Sequence, residues 1–550
     1  MHENWGGTVW VVLISCGVLI SCGNGMSELD ASVDVGGDDA RLEDAPIDGE
    51  VRTDASADAA VDACTDCVPQ IVLDELLAFP SAFGAGRAIP GGRGGEIYAV
   101  TNLNANGPGS LRDALSRNDR IVIIKVEGIV DTSTQQLRVA QRDNITIWGQ
   151  LAPGNGLTVS GSPTVIADSE NHIIRHVTFQ NRDTADRSSF GFQTAEDPIR
   201  DNPDGHGHYV DHCSMRYGRD QTFDISTRLA HERSTAAYNL IAEGKTGSII
   251  GGGGTAAQPS GDITFARNMY YNISHRHPNM GGDGGNIEHY NNLIVNWGGR
   301  LTRTNGTIRL DWFSNYADGG NRGRASAVPV NKVSYVAAEW RGRTPSIYTA
   351  NNFIAGWDEE PSAAQPNIWV WFKSSPAGCS ADCSTVGSTP VVENEPIDPS
   401  LFVAEPQHRF PPPPDGYWDV MDVPARAVAN AGHNRGVAAD GSPGIFRDDN
   451  DARYVEQTAM GTTESSYRLE SEWADSTMTG TAMYADTDGD HMPDWFEERH
   501  AHLDPGVPDG DATHVDWDFG DFTVVNRAGY TNLEICAELY AGGFDVMLGR

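Results

Sequence analysis

Between Asp211 and Met280 the chain carries Asp211-His-Cys213, Asp220-Gln-Thr-Phe-Asp224, Gly244-Lys245-Thr-Gly-Ser-Ile-Ile-Gly251 and His275-Arg276-His-Pro278. Two carboxylates four apart, one lysine and one arginine are spread over successive strand-and-turn units. If those units stack with their strands in register, the four side chains converge on one face. The carboxylates would then hold a hard cation, cation and lysine together would attract an acidic substrate, and the arginine would remain for chemistry. The competing readings are that Asp220 and Asp224 cap a turn and that Lys245 is an ordinary surface lysine. His206, His208, His212, His275 and His277 lack a zinc spacing. The run Gly251 to Gly254 is not a phosphate loop, because no Gly-Lys-Ser/Thr follows it.

The elements that must position these residues are short. From Ile121 onward, β-rich runs alternate with Gly, Asn and Asp turns. They begin at Ile121, Ile145, Ile173, Tyr209, Ala237, Ile263, Ile287, Ile308 and Ile347, and from Ile145 their spacing runs from 21 to 39 residues. Strand repetition at that interval, with no helical period and no leucine frame, indicates a solenoid. The expected fold is all-β, a right-handed parallel β-helix. Asn144, Asn171, Asn268, Asn291, Asn292, Asn315 and Asn351 sit at comparable turn positions, where stacked amides can satisfy the turn backbone and one another. Before the solenoid, Gly107-Pro-Gly-Ser-Leu-Arg-Asp-Ala-Leu115 reads as a turn feeding one short helix. After it, residues 358 to about 460 lose the repeat, gain prolines and read as a tail wrapped across the solenoid, capping its open end.

The 550 residues carry a formal charge of −37, concentrated at two places. Residues 28–66 hold thirteen acids against Arg41 and Arg52, and residues 486–521 hold twelve against Arg499. Such a chain lacks the basic footprint of a nucleic-acid binder. An acidic substrate remains compatible, provided a bound cation or a local basic cleft reverses the field. Val9 to Ile20 is an apolar run of signal-peptide length. It ends in Leu19-Ile-Ser-Cys22, which resembles the lipobox of bacterial lipoproteins and makes Cys22 the expected lipidation site; Leu13-Ile-Ser-Cys16 is a worse-placed second match. The expected divisions are 1–22 leader, 23–70 acidic disordered linker, 71–460 β-helix with its wrap, and 476–550 C-terminal segment. Cys64–Cys67 and Cys379–Cys383 are expected to be small loop-closing disulfides, and Cys213 and Cys536 buried thiols. Contact with membrane is expected through the lipid anchor alone, and the protein is expected to be an extracytoplasmic monomer, secreted or attached to the outer membrane.

Residues 78 to roughly 455 resemble the pectate lyase superfamily of family-1 polysaccharide lyases. The resemblance rests on Gly91-Gly-Arg-Gly-Gly95, Gly107-Pro-Gly-Ser-Leu-Arg112, Val210-Asp-His-Cys-Ser214, Asp220 with Asp224, Lys245 ahead of Ser-Ile-Ile-Gly, Arg276-His-Pro278, Asn292-Leu-Ile-Val-Asn-Trp-Gly298 and Arg447-Asp…Asp-Ala-Arg453. It implies a calcium-dependent β-elimination on pectate. Calcium would be held by Asp220 and Asp224 with an acid from the preceding coil, Asp197 matching best and Asp201 and Asp204 competing. Lys245 would bind the substrate carboxylate, and Arg276 would take the C5 proton, with an optimum well above neutral pH. One departure stands out. Members carry a second arginine shortly after the first, where this chain has Asn279, Met280 and Gly281; Arg300 or Arg303 would have to reach in from the next coil. The departure keeps open a protein that binds methylated pectin or another uronate polymer with altered specificity or without cleavage. A glycoside hydrolase on the same fold needs paired acids and leaves Lys245 and Arg276 unexplained. Trp297, Trp312 and Trp340 read either as sugar platforms or as packing.

Near the end, Asp486, Asp488, Asp490, Asp494 and Glu497 occupy positions 1, 3, 5, 9 and 12 of an EF-hand-like loop, with His491 where glycine is usual. The stretch resembles the Asp-rich calcium repeats appended to secreted polysaccharide lyases, which implies a structural Ca2+. A degenerate second copy is expected over Asp516 to Glu534.

Overall fold

The computed structural model describes residues 68–182, 189–193, 207–226, 232–252, 260–298, 301–304, 306–321, 333–334, 345–355, 368–370, 399–408, 410–465 and 472–550. The Cys64–Cys67 and Cys379–Cys383 pairs, Cys22 and Trp340 lie outside them.

The strands form a right-handed parallel β-helix of three sheets. One has ten strands, from Glu96–Val100 to Ser346–Ala350; a second has nine, from Gly128–Asp131 to Phe353–Ala355; a third has seven, from Arg138–Ala140 to Arg303–Thr304. Pairing between successive coils is parallel throughout these sheets, for example Tyr209 to Thr235, Thr235 to Thr264 and Thr264 to Glu288. Most runs picked out in the sequence fall in the ten-stranded sheet. Strands of the other two are mostly three or four residues long, and some follow a ten-stranded neighbour so closely that both read as one run. Ile173–Phe179, for instance, crosses the corner between His172–Arg175 and Thr178–Asn181.

That corner is built the same way on coil after coil. A non-glycine residue takes a left-handed backbone, with φ between +50° and +59° at His176, His212, Tyr238, Arg267, Asn291, Ser314 and Asn351. One position later along the helix stand Asn239, Asn268, Asn292, Asn315 and Asn352, where each Nδ2 donates to the next Oδ1 at 2.9–3.1 Å. The ladder therefore includes Asn239 and Asn352, whereas Asn291 and Asn351 are bend residues rather than rungs. Asn144 and Asn171 make a separate pair at 2.9 Å. Inside the barrel, the rings of Phe265, His289 and Trp312 stack in line, and burial pushes the His289 imidazole down to about 3. Trp297 and Trp312 are fully buried, so they pack and do not present sugar platforms.

Helix Leu111–Ala114, capped by Ser110, packs Leu111 and Leu115 into the first coils. At the other end Phe402 pairs with Ile347 of the last ten-stranded strand, and the tail then runs back along the flank of the solenoid. Buried Arg216 holds Asp448 through two nitrogens at 2.9 and 2.6 Å, Arg267 holds Asp415 at 2.8 Å, and Arg453 holds Glu243 at 3.0 Å. The first and last described strands meet: Gln70–Leu73 pairs in parallel with Thr523–Asn526, which pairs antiparallel with Asp516–Asp518. Helix Asn532–Ala541 then docks on the first coils, with Glu538 on Arg175 at 2.7 Å. The stretch expected to be a second calcium loop is thus a hairpin and a helix, and Glu534 is used in a capping box and an ion pair to Arg93 at 2.6 Å.

Candidate functional site

The sequence-expected residues lie where three consecutive coils enter the seven-stranded sheet. Strands Phe223–Ser226, Ser248–Gly251 and Asn279–Gly281 pair in register, with Asp224 beside Ile249 and Ile249 beside Asn279. The turns before them stack as well. Lys245 N donates to Gly218 O at 2.8 Å, Thr222 N to Thr246 O at 3.0 Å, and Gly247 N and Ser248 N to the carbonyls of His275 and Arg276, both at 2.8 Å. Asp220, Lys245 and Arg276 therefore stand on the same turn of successive coils.

Arg276 reaches back across one coil, placing Nη1 3.5 Å from Asp220 Oδ1. The pair is half open, the Asp220 side chain being 52% exposed and that of Arg276 20%. Gln221 Nε2 donates to the same Asp220 oxygen at 2.7 Å, while Nε and Nη1 of Arg276 are buried with no hydrogen-bond partner. Asp224 is buried, and its Oδ1 accepts from Ile249 N at 2.8 Å. Lys245 is exposed. The Arg276 backbone has φ +70°, a conformation that costs a non-glycine residue about 1–3 kcal/mol and persists where neighbours impose it. Gly247 is one such neighbour: a Cβ there would lie 2.1 Å from the Arg276 carbonyl oxygen. On the other side of Lys245, a Cβ on Gly244 would lie 1.9 Å from Thr222 Oγ1. Sequence reasoning passed over both glycines, although their flanking of Lys245 was the signal.

Asp197, its rivals Asp201 and Asp204, and Arg300 lie outside the described residues. The backbone of Arg303 registers with Asn279. Asp211 and His212 belong to the bend corner: Asp211 joins His212 Nδ1 at 3.0 Å and Arg175 Nε at 2.9 Å, and His212 stacks between His176 and Tyr238. His277 gives Nδ1 to the Leu301 carbonyl at 2.8 Å. Cys213 and Cys536 are buried free thiols, and burial pushes Cys213 up to about 12.

In the C-terminal segment, carboxylate oxygens of Asp486, Asp488 and Asp490 gather within 4.8 Å of one another, and those of Asp490, Glu497 and Asp509 do likewise. Burial, then the charges of Asp490, Asp488, Asp494 and Asp509, push the Glu497 carboxyl up to about 8. Asp494 is turned to other work, its oxygens accepting from Thr487 N at 2.7 Å and Thr487 Oγ1 at 2.6 Å. Asp509, outside the loop spacing, was not expected here.

Residues 81–310 match a family model described as pectate lyase. A protein of Emericella nidulans named probable pectate lyase C is 29% identical over 464 residues, covering 84% of this chain and 92% of the relative. One of the same name from Aspergillus terreus is 37% identical over 224 residues, covering 41% and 49% respectively. Among solved structures, a Bacillus subtilis pectate lyase mutant aligns at 16% identity and a TM-score of 0.42, covering 66% of this chain and 98% of that one. A pectate lyase bound to hexasaccharide aligns at 16% and 0.41, with the same coverage.

Proposed function

We propose that the chain is a polysaccharide lyase of the pectate lyase family, whose model residues 81–310 match, and that it cleaves pectate by calcium-dependent β-elimination with Arg276 as the base. The observation that carries the reading is the convergence of Asp220 and Arg276 across two coils at 3.5 Å, with Lys245 on the turn between them.

The donor set suits a hard cation. Asp220 offers an exposed carboxylate and Asp224 a second at the start of the following strand, and oxygen donors of this kind select calcium over softer metals. Bound there, calcium would share the charge of Asp220 and draw electron density from the substrate C6 carboxylate, acidifying the C5 proton. Lys245 would pair with that carboxylate. Arg276 would accept the C5 proton on its guanidine group; the electron pair left behind forms the C4–C5 double bond as the C4–O4 bond breaks, and the departing oxygen takes a proton from solvent. A guanidinium is ordinarily fully protonated, so an optimum well above neutral pH is expected. Asp197 as a third ligand and Arg300 as a second substrate contact complete the proposal, together with export and lipidation at Cys22 ahead of an acidic tether, and a monomer acting on plant cell-wall polysaccharide outside the cytoplasm.

The test is ultraviolet absorbance of the unsaturated sugar end on polygalacturonate at alkaline pH, with calcium and then with chelator. A calcium-dependent rise abolished by Arg276→Ala supports the reading. Retained polysaccharide binding with no rise, on esterified pectin as well, replaces it with a binding protein and points to Asn279 as the cause.

A further inference from the structure

Arg276 stands on a left-handed backbone, φ +70°, and that turn is held from both sides along the solenoid. Toward the preceding coil the tie is backbone alone. Gly247 N and Ser248 N donate to the carbonyls of His275 and Arg276 at 2.8 Å, and Gly247 has no Cβ to keep the two turns apart. Toward the following coil a side chain takes part. His277 donates twice to one atom, its backbone N and its ring Nδ1 each lying 2.8 Å from the Leu301 carbonyl oxygen. A carbonyl only accepts, and it has two lone pairs to offer. Nδ1 therefore carries a proton, and the ring acts as a second amide would.

The imidazole is locked in that orientation. His277 is fully buried, with its ring edge-on to that of Tyr270, 5.2 Å between centroids and 82° between planes. Tyr270 is buried under the same turn, its Cε1 3.1 Å from where a Cβ on Gly247 would stand. At the next residue Thr302 Oγ1 donates to the Pro278 carbonyl at 2.5 Å, so 277–278 and 301–302 are joined at consecutive positions. The Arg276 side chain adds less. Its guanidinium meets Asp220 at 3.5 Å in a pair whose carboxylate is 52% exposed, and ion pairs open to solvent contribute little.

We infer that His277 is a positioning residue for Arg276: its Nδ1–H pins the Arg276 turn to Leu301 and so sets where the guanidine group stands on the sheet. This role rests on the reading of Arg276 as the base. It makes the donor of His277, not its ring, the property that matters. Asparagine keeps the donor, because its Nδ2 is bonded to Cγ as the imidazole Nδ1 is. Phenylalanine keeps a ring against Tyr270 and loses the donor.

The experiment compares His277→Asn and His277→Phe in the full chain, by rates on polygalacturonate with calcium at alkaline pH, by thermal melting and by amide hydrogen exchange. His277→Phe is expected to lower kcat by ~10- to 100-fold, the scale on which misplacing a reacting group by about 1 Å acts. KM is expected to hold, because Lys245 and the Asp220–Asp224 pair are untouched and the loss falls on the transition state. His277→Asn is expected to recover most of the rate while melting below His277→Phe, since it removes buried ring volume. Activity and stability then rank the two variants in opposite orders, which a role in packing alone does not produce. The amides of Gly247 and Ser248, bonded to the Arg276 turn, should exchange faster in His277→Phe than in His277→Asn, whether or not the chain is a lyase. Activity that follows the melting temperatures, or equal exchange at Gly247 and Ser248 in the two variants, overturns the inference. Faster exchange in His277→Phe, in a chain whose unaltered form cleaves no uronate polymer, leaves the anchor standing and overturns the reading of Arg276 as base.

Discussion

The corner at Asp220 and the cluster at Glu497 both gather carboxylates, and they balance charge in opposite ways. At the first, Asp220 is half exposed and faces Arg276 from two coils away, so the corner is held by opposite charges. At the second, Glu497 is buried among acids and the local lysine is spent on Asp486. A site that exchanges its ligand at every turnover has to stay assembled between turnovers, and cross-paired charge does that. Glu497 has no such pairing: its carboxylate oxygens lack a hydrogen-bond partner, and burial among acids pushes its carboxyl up to about 8.

The comparison breaks first at Arg276. Arg276→Ala is expected to lower the rate on polygalacturonate by about 10²–10⁴-fold, the range for losing a general base, without moving the thermal unfolding of the C-terminal segment. If calorimetry shows that segment destabilised too, the two regions are not independent.

Acid pH acts on solenoid and appendage alike, because burial pushes His500 and His502 of the C-terminal segment down to about 4. Burial pushes both His172 and His289 down to about 3 from an ordinary 6.5. Because the folded values are depressed, the stability that these neutral rings confer is complete above 6.5 and drains away as pH falls toward 3. The solenoid should therefore lose thermal stability across that window, and His289→Phe, which keeps the ring stack with Phe265 and Trp312, should flatten the slope. A melting profile indifferent to pH between 6.5 and 3 would contradict the buried neutral imidazoles.

Gly247→Ala is expected to cost about 1–3 kcal/mol by overpacking and to reduce activity, because its Cβ would press on the Arg276 carbonyl. Equal activity at full stability would separate the Arg276 backbone from its function. The smallest effect is at His491, which holds φ +81° in the C-terminal loop. Relief of a left-handed non-glycine residue, about 1–2 kcal/mol, is partly offset by the entropy of a glycine, about 0.5–1 kcal/mol. His491→Gly should thus raise the denaturation midpoint slightly in the presence of calcium.

Much of this was legible in the sequence for identifiable reasons. Runs such as Ile121–Val126 and Ile287–Tyr290 reveal one sheet because their strands run to five residues and carry β-branched and aromatic side chains. The other two sheets escaped because strands such as Met269–Tyr271 are too short to show a period and follow a bend made by a non-glycine residue, here Arg267. The order of the Asp220–Asp224 pair, Lys245 and Arg276 was readable because Lys245 falls about one repeat beyond the pair and Arg276 one repeat beyond Lys245. Asp509 was not, because its place is set by Asn532 and by the backbone of its own turn, and no spacing rule encodes that. The tail was expected to close the open end, and its Phe402 does pair with Ile347 of the last ten-stranded strand; its return along the flank depends on Arg216, Arg267 and Glu243, whose partners lie some 150–230 residues away.

The pairing of the first described strand with the last also constrains the order in which the molecule can be finished. Coils from Glu96 onward pair with neighbours made shortly before or after them, so they can assemble as the chain emerges from a ribosome or a translocation pore. Gln70–Leu73 cannot, since its partner is Thr523–Asn526, and Leu77 donates to the hydroxyl of Tyr530, 453 positions later. Loop closure over that span is the slow kind of contact. The first strand to appear is among the last to be placed, so a truncated product would carry an unpaired strand at its start, a mark by which proteases could tell an unfinished chain from a complete one.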